Sequence, residues 1–344
     1  MRILVIGGTR FIGPRVIDAL VDAGHAVTIL HRGRTAPAPA AGVGEIRLDR
    51  QRLAEGAGAI RQLAPEVVID MIPLGERDAE ELVRVLRGVA GRVVAVSSAD
   101  VYLAYGRLHG TEPGPPVPAP MDEEAPLRTR LYPYRGATPR AADDPQRRLD
   151  DYDKILVERV VLGEPELPGT VLRLPMVYGP GDYQHRTYDY VRRMDDDRPA
   201  ILLERGVAAW RLPRGYVEDV AGAIALAATR PEAAGRIYNV CEERALTERQ
   251  WVEAIAAAAG WRGRVVVVER DGLPDSLRST DRTDQHLACT SARIRRELGY
   301  VEQTDRRQAL ERTIAWERTH PPQPIDPARF DYAAEDAVVA RLGV

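Results

Sequence analysis

Cysteine is scarce here, with two in 344 residues. Cys241 and Cys289 stand far apart and neither lies in a CxxC, so a disulfide framework is excluded and a reducing compartment is expected. No apolar run approaches the roughly 18 residues that a membrane span needs. The opening MRILVIGGTR goes straight into a strand without a signal-peptide pattern. The expectation is a cytoplasmic protein with no membrane partner. Basic charge is not in excess: Lys+Arg is 48 against Asp+Glu 51, a net charge of -3. Sequence-independent nucleic-acid binding needs a basic face, so no nucleic-acid partner is expected. Six histidines show no HExxH or other ligand spacing, and no metal is expected. Lysine is almost missing, since 47 of the 48 basic residues are arginine. A position that keeps lysine, Lys154, either needs something arginine cannot supply, a compact ammonium with a tunable pKa, or is a chance leftover on a solvated helix face.

What is present first is a repeating strand–helix alternation. Ile3–Ile6 is apolar throughout and ends in Gly7-Gly8, which reads as a strand buried on both faces. Pro14 to Ala23 carries helical apolar spacing, with Gly24 just beyond it. Strands are predicted at Ala26–Leu30, Glu45–Leu48, Val67–Ile69 and Arg92–Val96, with helices over 51–63 and 77–88 between them. Such alternation builds a doubly wound parallel sheet: an α/β Rossmann-like fold with ligands at the carboxyl ends of the strands.

Chemistry appears at the first turn. Gly7-Gly8-Thr9-Arg10-Phe11-Ile12-Gly13 links the first strand to the first helix. Glycines admit a pyrophosphate to the backbone, and the helix N-terminus supplies N–H donors. A dinucleotide is expected there. NAD sites place an acid after the second strand, whereas a 2′-phosphate calls for arginine. Here the strand runs into His31-Arg32-Gly33-Arg34, which favours NADP(H) over NAD.

These residues resemble the extended short-chain dehydrogenase/reductase superfamily, the NAD-dependent epimerase/dehydratase family. Its TGxxGFIG turn is matched by the GGTRFIG form at Gly7 to Gly13, which looks like the atypical branches, with Arg10 available to a cofactor phosphate. The resemblance implies Asp49 and Arg50 beside the adenine, and Met71 and Ile72 along the cofactor. Ser97 to Tyr102 looks like SSxxVYG and puts Ser98 at the catalytic serine. Leu172 to Gly181 looks like LRxxNVYGPG, which places Pro175 at the cofactor and Met176 where the family has an asparagine that contacts a nucleotide sugar. Methionine cannot make that hydrogen bond. Tyr216–Val220, Gly235–Val240 and Arg293–Gly299 also resemble family segments. Family resemblance implies a homodimer.

The family's catalytic helix reads YxxxK, often followed by E four residues on. Lys154 and Glu158 match, and the resemblance gives the ammonium two tasks: holding the nicotinamide ribose and lowering the pKa of a neighbouring acid. The tyrosine is displaced. Asp150 stands four residues before Lys154, and Tyr152 only two. On a regular helix i and i+4 share a face, while i and i+2 do not. Three alternatives stay open. Tyr152 sits at an irregular helix start and still reaches the site; Asp150 carries the proton; or Tyr102, Tyr132 or Tyr134 enters from a loop. An ordinary Asp150–Lys154 ion pair is the structural alternative.

Residues 103–147 hold a proline-rich insertion, with six prolines from Pro113 to Pro126, and read as an ordered substrate lid. The first domain is expected over 1–175, with 216–242 returning to it. A smaller α/β substrate domain is expected over 176–330, and a terminal helix over 331–344. Tyr102, Tyr134, Met176, His185 and Arg214 are the candidate substrate contacts. His185 reads either as a general base or as a structural hydrogen-bonder. Arg211 and Arg214 flank, out of register, the family's phosphate-binding arginine. The leading expectation is hydride transfer between NADP(H) and a small carbonyl or hydroxyl compound, not a nucleotide sugar. Epimerisation or dehydration through a transient keto intermediate is the first alternative, and a catalytically silent dinucleotide-binding regulator the second.

Overall fold

A computed structural model describes residues 1–34 and 42–343, so Val344 of the expected terminal helix lies outside the described residues. In chain order the strands are β1 (Arg2–Ile6), β2 (Ala26–His31), β3 (Gly44–Arg47), β4 (Val67–Asp70), β5 (Arg92–Ser98), β6 (Gly169–Leu174), β7 (Met176–Tyr178), β8 (Ala200–Glu204), β9 (Arg214–Tyr216), β10 (Ile237–Asn239) and β11 (Arg264–Val268). The helices are α1 (Ile12–Asp22), α2 (Ala57–Leu63), α3 (Glu76–Leu86), α4 (Leu103–Leu108), α5 (Lys154–Leu162), α6 (Tyr188–Asp195), α7 (Arg205–Ala209), α8 (Val217–Thr229), α9 (Glu248–Ala259), α10 (Ala292–Leu298), α11 (Arg306–Thr319) and α12 (Tyr332–Leu342). Among the described residues no helix is long and apolar enough to cross a membrane.

Seven strands form one parallel sheet in the order β10-β6-β5-β4-β1-β2-β3. The chain reverses direction of travel between β1 and β4, and a doubly wound sheet binds ligands at that switch point. Alternate residues of β1 serve opposite faces. Ile3 and Val5 join α1 (Val16, Leu20) and α8 (Val220, Ile224) in one core. Leu4 and Ile6 join α3 (Leu82, Leu86) and α5 (Val157, Val161) in the other. This two-sided burial explains the unbroken apolar run of the first strand. The 216–242 segment supplies α8 to the first of these cores, and its β10 pairs with β6. Two small parallel pairs, β11-β8 and β7-β9, lie outside the main sheet.

The proline-rich insertion is ordered by buried charge. Glu112 is buried and accepts the amides of Thr129 (2.7 Å) and Arg130 (2.8 Å). Arg128 is buried as well and donates to the carbonyls of Asp100 and Arg130. Met121 and Leu127 pack with Cys241 and Cys289 in a third cluster.

Candidate active site

The first half of the site is the turn after β1. Gly7 has φ 84°, which favours glycine, and a Cβ there would lie 2.6 Å from Ile72 Cγ1. A Cβ on Gly13 would lie 2.5 Å from the Gly8 carbonyl carbon, so α1 packs on the turn with no room for a side chain. No side chain caps α1; the Gly13 amide donates to Arg10 O at 2.9 Å and Pro14 has no N–H, so an anion here would draw on the remaining amides of the turn. A cleft of about 390 Å³ opens here. Gly7, Thr9, Arg10, Phe11, Ile12, Arg32, Asp49, Arg50, Met71 and Ile72 all line it. The shape and donor set fit a dinucleotide.

Several residues in this cleft escaped sequence reasoning. Tyr183 lines it and stands edge-on to Phe11, their ring centres 6.5 Å apart. Leu74 and Arg148 also line it, as does Arg34, which the sequence already singles out. Arg148 comes from the 3-10 turn Arg147–Asp151 just after the insertion and pairs with Asp78 at 2.9 Å, which no local motif announces. One expectation is corrected in its detail. The Arg50 guanidinium does not reach for a ligand; it is buried against Asp70 (2.6 Å) and the Asp78 carbonyl (2.7 Å). Asp49 caps its own turn at the Gln51 amide and lies 3.9 Å from Arg32.

The second half lies at the end of β5. Ser98 ends that strand, and its hydroxyl accepts the Asp100 amide at 3.2 Å. α5 begins at Lys154 and not earlier, because Asp153 is its N-cap. The Asp153 carboxylate accepts the Ile155 amide (2.9 Å) and the Tyr132 amide (2.6 Å), and its own amide donates to Leu74 O (2.9 Å). Tyr152 therefore takes an extended conformation, φ −71° and ψ 122°. Its side chain turns inward, is buried, and donates to Asp100 Oδ2 at 2.8 Å.

Lys154 is buried, and its Nζ donates to Pro73 O (2.5 Å) and Val96 O (2.9 Å) at the carboxyl ends of β4 and β5. Burial lowers its pKa to about 8 against the pull of Asp100, Asp70 and Asp78. Unlike a guanidinium, an ammonium is a compact charge whose pKa can be lowered this far. Tyr152 departs from the expected depression: burial, then the Asp100 charge, push it well above the ordinary tyrosine value, and a contact with Ser98 only partly offsets this. Lys154 Nζ lies 5.6 Å from the Tyr152 ring centre while the phenol faces a carboxylate.

Two catalytic alternatives are corrected. Asp150 is not on α5: it belongs to a 3-10 turn, Arg147–Asp151, and its carboxylate is held by Arg140 and by Arg147 at 3.2 Å. It makes neither a pair with Lys154 nor a path to Ser98. Tyr102 is fully buried, its hydroxyl locked between Asn239 (2.7 Å) and Arg173 (3.0 Å), so it lines no cleft. Tyr134 does join the site, donating to Asp100 Oδ2 at 3.1 Å. Asp100 itself was missed. Its burial raises its pKa although Tyr152, Arg128, Lys154 and Tyr134 all act to lower it.

The remaining candidates divide. Met176 and Arg214 line a separate cavity of about 180 Å³ with Tyr190, Trp210 and Trp251. Arg214 is engaged there by Glu248 at 2.5 Å. His185 is bound to buried Glu317 at 2.7 Å and stacks on Trp316. Pro175 joins β6 to β7, and a Cβ on Gly215 would lie 3.0 Å from its ring. Glu158 chelates Arg173 (3.0 and 2.7 Å) and accepts from Ser97 (2.5 Å), tying α5 to β5 and β6 beneath the site.

Known proteins share this family and fold. The family model described as the NAD dependent epimerase/dehydratase family matches residues 3–121 and 128–241. The chain is 26% identical over 290 residues to 2'-dehydrokanamycin reductase of Streptomyces kanamyceticus, covering 82% of this chain and 73% of that protein. It is 29% identical over 271 residues to 3-diazoavenalumate denitrifying reductase of a Streptomyces species, covering 76% and 82%. In fold it is similar to the Bordetella bronchiseptica enzyme WbmG in complex with NAD and UDP, with a TM-score of 0.68, 15% identity, and 93% and 95% of the two chains covered. With its parallel sheet, glycine turn and Ser–Tyr–Lys cluster, the chain belongs to the NAD dependent epimerase/dehydratase family of the extended short-chain dehydrogenases/reductases.

Proposed function

We propose that the protein is an NADP(H)-dependent oxidoreductase that moves hydride between the cofactor and a small carbonyl or hydroxyl compound. The observation that carries this reading is the meeting of Ser98, Tyr152 and Lys154 at the ends of β4 and β5, although Tyr152 is out of the family's register. The cofactor, when bound, supplies or accepts hydride at its nicotinamide. The Gly7–Gly13 turn would hold its pyrophosphate, the Asp49 side of the cleft its adenine, and Lys154 the ribose hydroxyls. Arg32 and Arg34, with Arg10 nearby, supply the positive lining that suits a 2′-phosphate, and no acid follows β2.

The chain's own residues deal with the oxygen of the substrate. The Ser98 hydroxyl is placed to hydrogen-bond it, an oxyanion-hole type of role. Tyr152, a phenol at neutral pH, donates or accepts the proton. Against a nucleotide sugar stand the apolar Met176 and the engagement of Arg214 by Glu248 within a small cavity. Two relatives named as reductases favour the reductive direction. The test is a panel of ketones and keto-sugars with stoichiometric NADPH. Oxidation of one NADPH per carbonyl, lost in Tyr152→Phe and Ser98→Ala while NADPH still binds, supports the reading. NADPH that stays unconsumed while the substrate is converted would replace it with the epimerase reading.

A further inference from the structure

We propose that the Asp100 carboxyl is the proton store behind Tyr152, and that Tyr134 and Tyr105 connect it to solvent. This rests on the oxidoreductase reading and adds to it the origin of the proton. Reduction of a carbonyl adds hydride at carbon and leaves an oxygen that needs one proton. In this protein the group touching that oxygen is Tyr152, whose hydroxyl is bound to Asp100 Oδ2 at 2.8 Å. Lys154 does not contact that hydroxyl; its ammonium is committed to Pro73 O and Val96 O.

Asp100 is placed for storage. Its Oδ2 accepts from both Tyr152 and Tyr134 (3.1 Å), while Oδ1 is buried without a partner among the described residues. A bare, desolvated carboxylate oxygen is costly, and a proton on the carboxyl, transferable through Oδ2, removes the charge. The groups facing Asp100 are Ser98 from the end of β5, Arg128 and Tyr134 from the insertion, Tyr152 just before α5 and Lys154 at its start. Desolvation outweighs the two cations and both phenols and holds the carboxyl above the usual range. Beyond Tyr134 the path continues to Tyr105, 3.1 Å away on α4 and only partly buried. His109, exposed and bound to Asp281, stands against the Tyr105 ring.

The balance closes in one turnover. The Tyr152 Oη–H bond breaks and its proton goes to the substrate oxygen. The Asp100 proton passes to Tyr152 Oη, leaving a carboxylate beside Lys154 and Arg128. Tyr134 then gives its proton to Asp100 and recovers one from Tyr105, which takes one from water. One proton enters from solvent, and every protein group returns to its starting state.

The test is infrared difference spectroscopy on the whole protein, wild type against Asp100→Asn, titrated from pH 4 to 8. The expected result is a protonated-carboxyl band that survives well above the ordinary aspartate value near pH 4 and is absent from the variant. Tyr134→Phe, which keeps the Tyr152 contact, moves the midpoint higher still, because the bond from Tyr134 favours the ionised form. A band that titrates near pH 4, or none assignable to Asp100, overturns the store. In turnover of an activated α-diketone with NADPH, Tyr134→Phe and Tyr105→Phe should each lower the rate about tenfold with NADPH affinity unchanged; rates equal to wild type overturn the route. Failure of the wild type to bind NADPH would instead sink the oxidoreductase reading, and the infrared band decides the proton store separately.

Discussion

Tyr152 and Lys154 share one site because the chain between them is not helical. Tyr152 is extended while Lys154 opens α5, and the ammonium comes to 5.6 Å from the phenol ring centre. The Asp153 cap produces this break. A helix carried back to residue 150 would have put Tyr152 on the far face from Lys154.

Asp150 is the residue that spacing alone would have chosen, so it gives a sharp control. Asp150→Asn removes the carboxylate charge that pairs with Arg140 and Arg147, and one of its two acceptor oxygens, and should lower the melting temperature. Turnover per folded molecule should stay within about twofold of wild type, well short of the roughly 100-fold loss expected for a proton carrier. Thermal unfolding and initial rates on the same preparation check both parts.

Glu158→Ala should destabilise the fold by about 3–5 kcal/mol, because it leaves the buried Arg173 charge without its chelate and Ser97 without its acceptor. Denaturant unfolding measures this. A cost under about 1 kcal/mol would mean that the pair contributes little beneath the site.

The free Lys154 pKa of about 8, set mainly by burial, gives a sign to cofactor binding. The ammonium is present below pH 8 and lost above it, so NADPH affinity should be highest below pH 8 and weaken above it, approaching about tenfold per pH unit. Lys154→Met should bind more weakly at pH 7 and show no such limb. Binding titrations from pH 6 to 10 decide it, and a flat wild-type profile would contradict the role.

Gly13→Ala forces a methyl into the Gly8 backbone at 2.5 Å. Overpacking of this kind costs about 1–3 kcal/mol, and here it also opens the turn that faces the cofactor. Both stability and NADPH binding should fall. Gly24→Ala has open space around its Cβ but φ 81°, so it should lose some stability and keep the affinity.

Much of the fold was legible because both faces of its sheet are buried. Unbroken runs such as Ile3–Ile6 and Arg92–Val96 have few other readings, and glycine and proline mark their ends. The glycine turn was legible because its spacing is set by backbone contact alone. Tyr152 was legible only as one of three alternatives for the displaced tyrosine, since its place depends on where α5 starts. Asp153 before an apolar run was a helix-start signal that would have moved that start to Lys154. Asp100 carried no local signal: its importance comes from Tyr134 and Tyr152, which lie 34 and 52 residues away. Tyr102 matched the motif, yet the partners that bury its hydroxyl, Arg173 and Asn239, come from β6 and β10.

The central claim is that this cleft takes a phosphorylated dinucleotide and presents it to Tyr152 and Lys154. The most direct measurement is titration of the protein and of Arg32→Asp with NADPH and NADH, followed by tryptophan-to-nicotinamide energy transfer. The account predicts tighter NADPH binding in the wild type by at least tenfold, about 1.4 kcal/mol, with the preference lost or reversed in the variant. Equal or tighter binding of NADH by the wild type would contradict it.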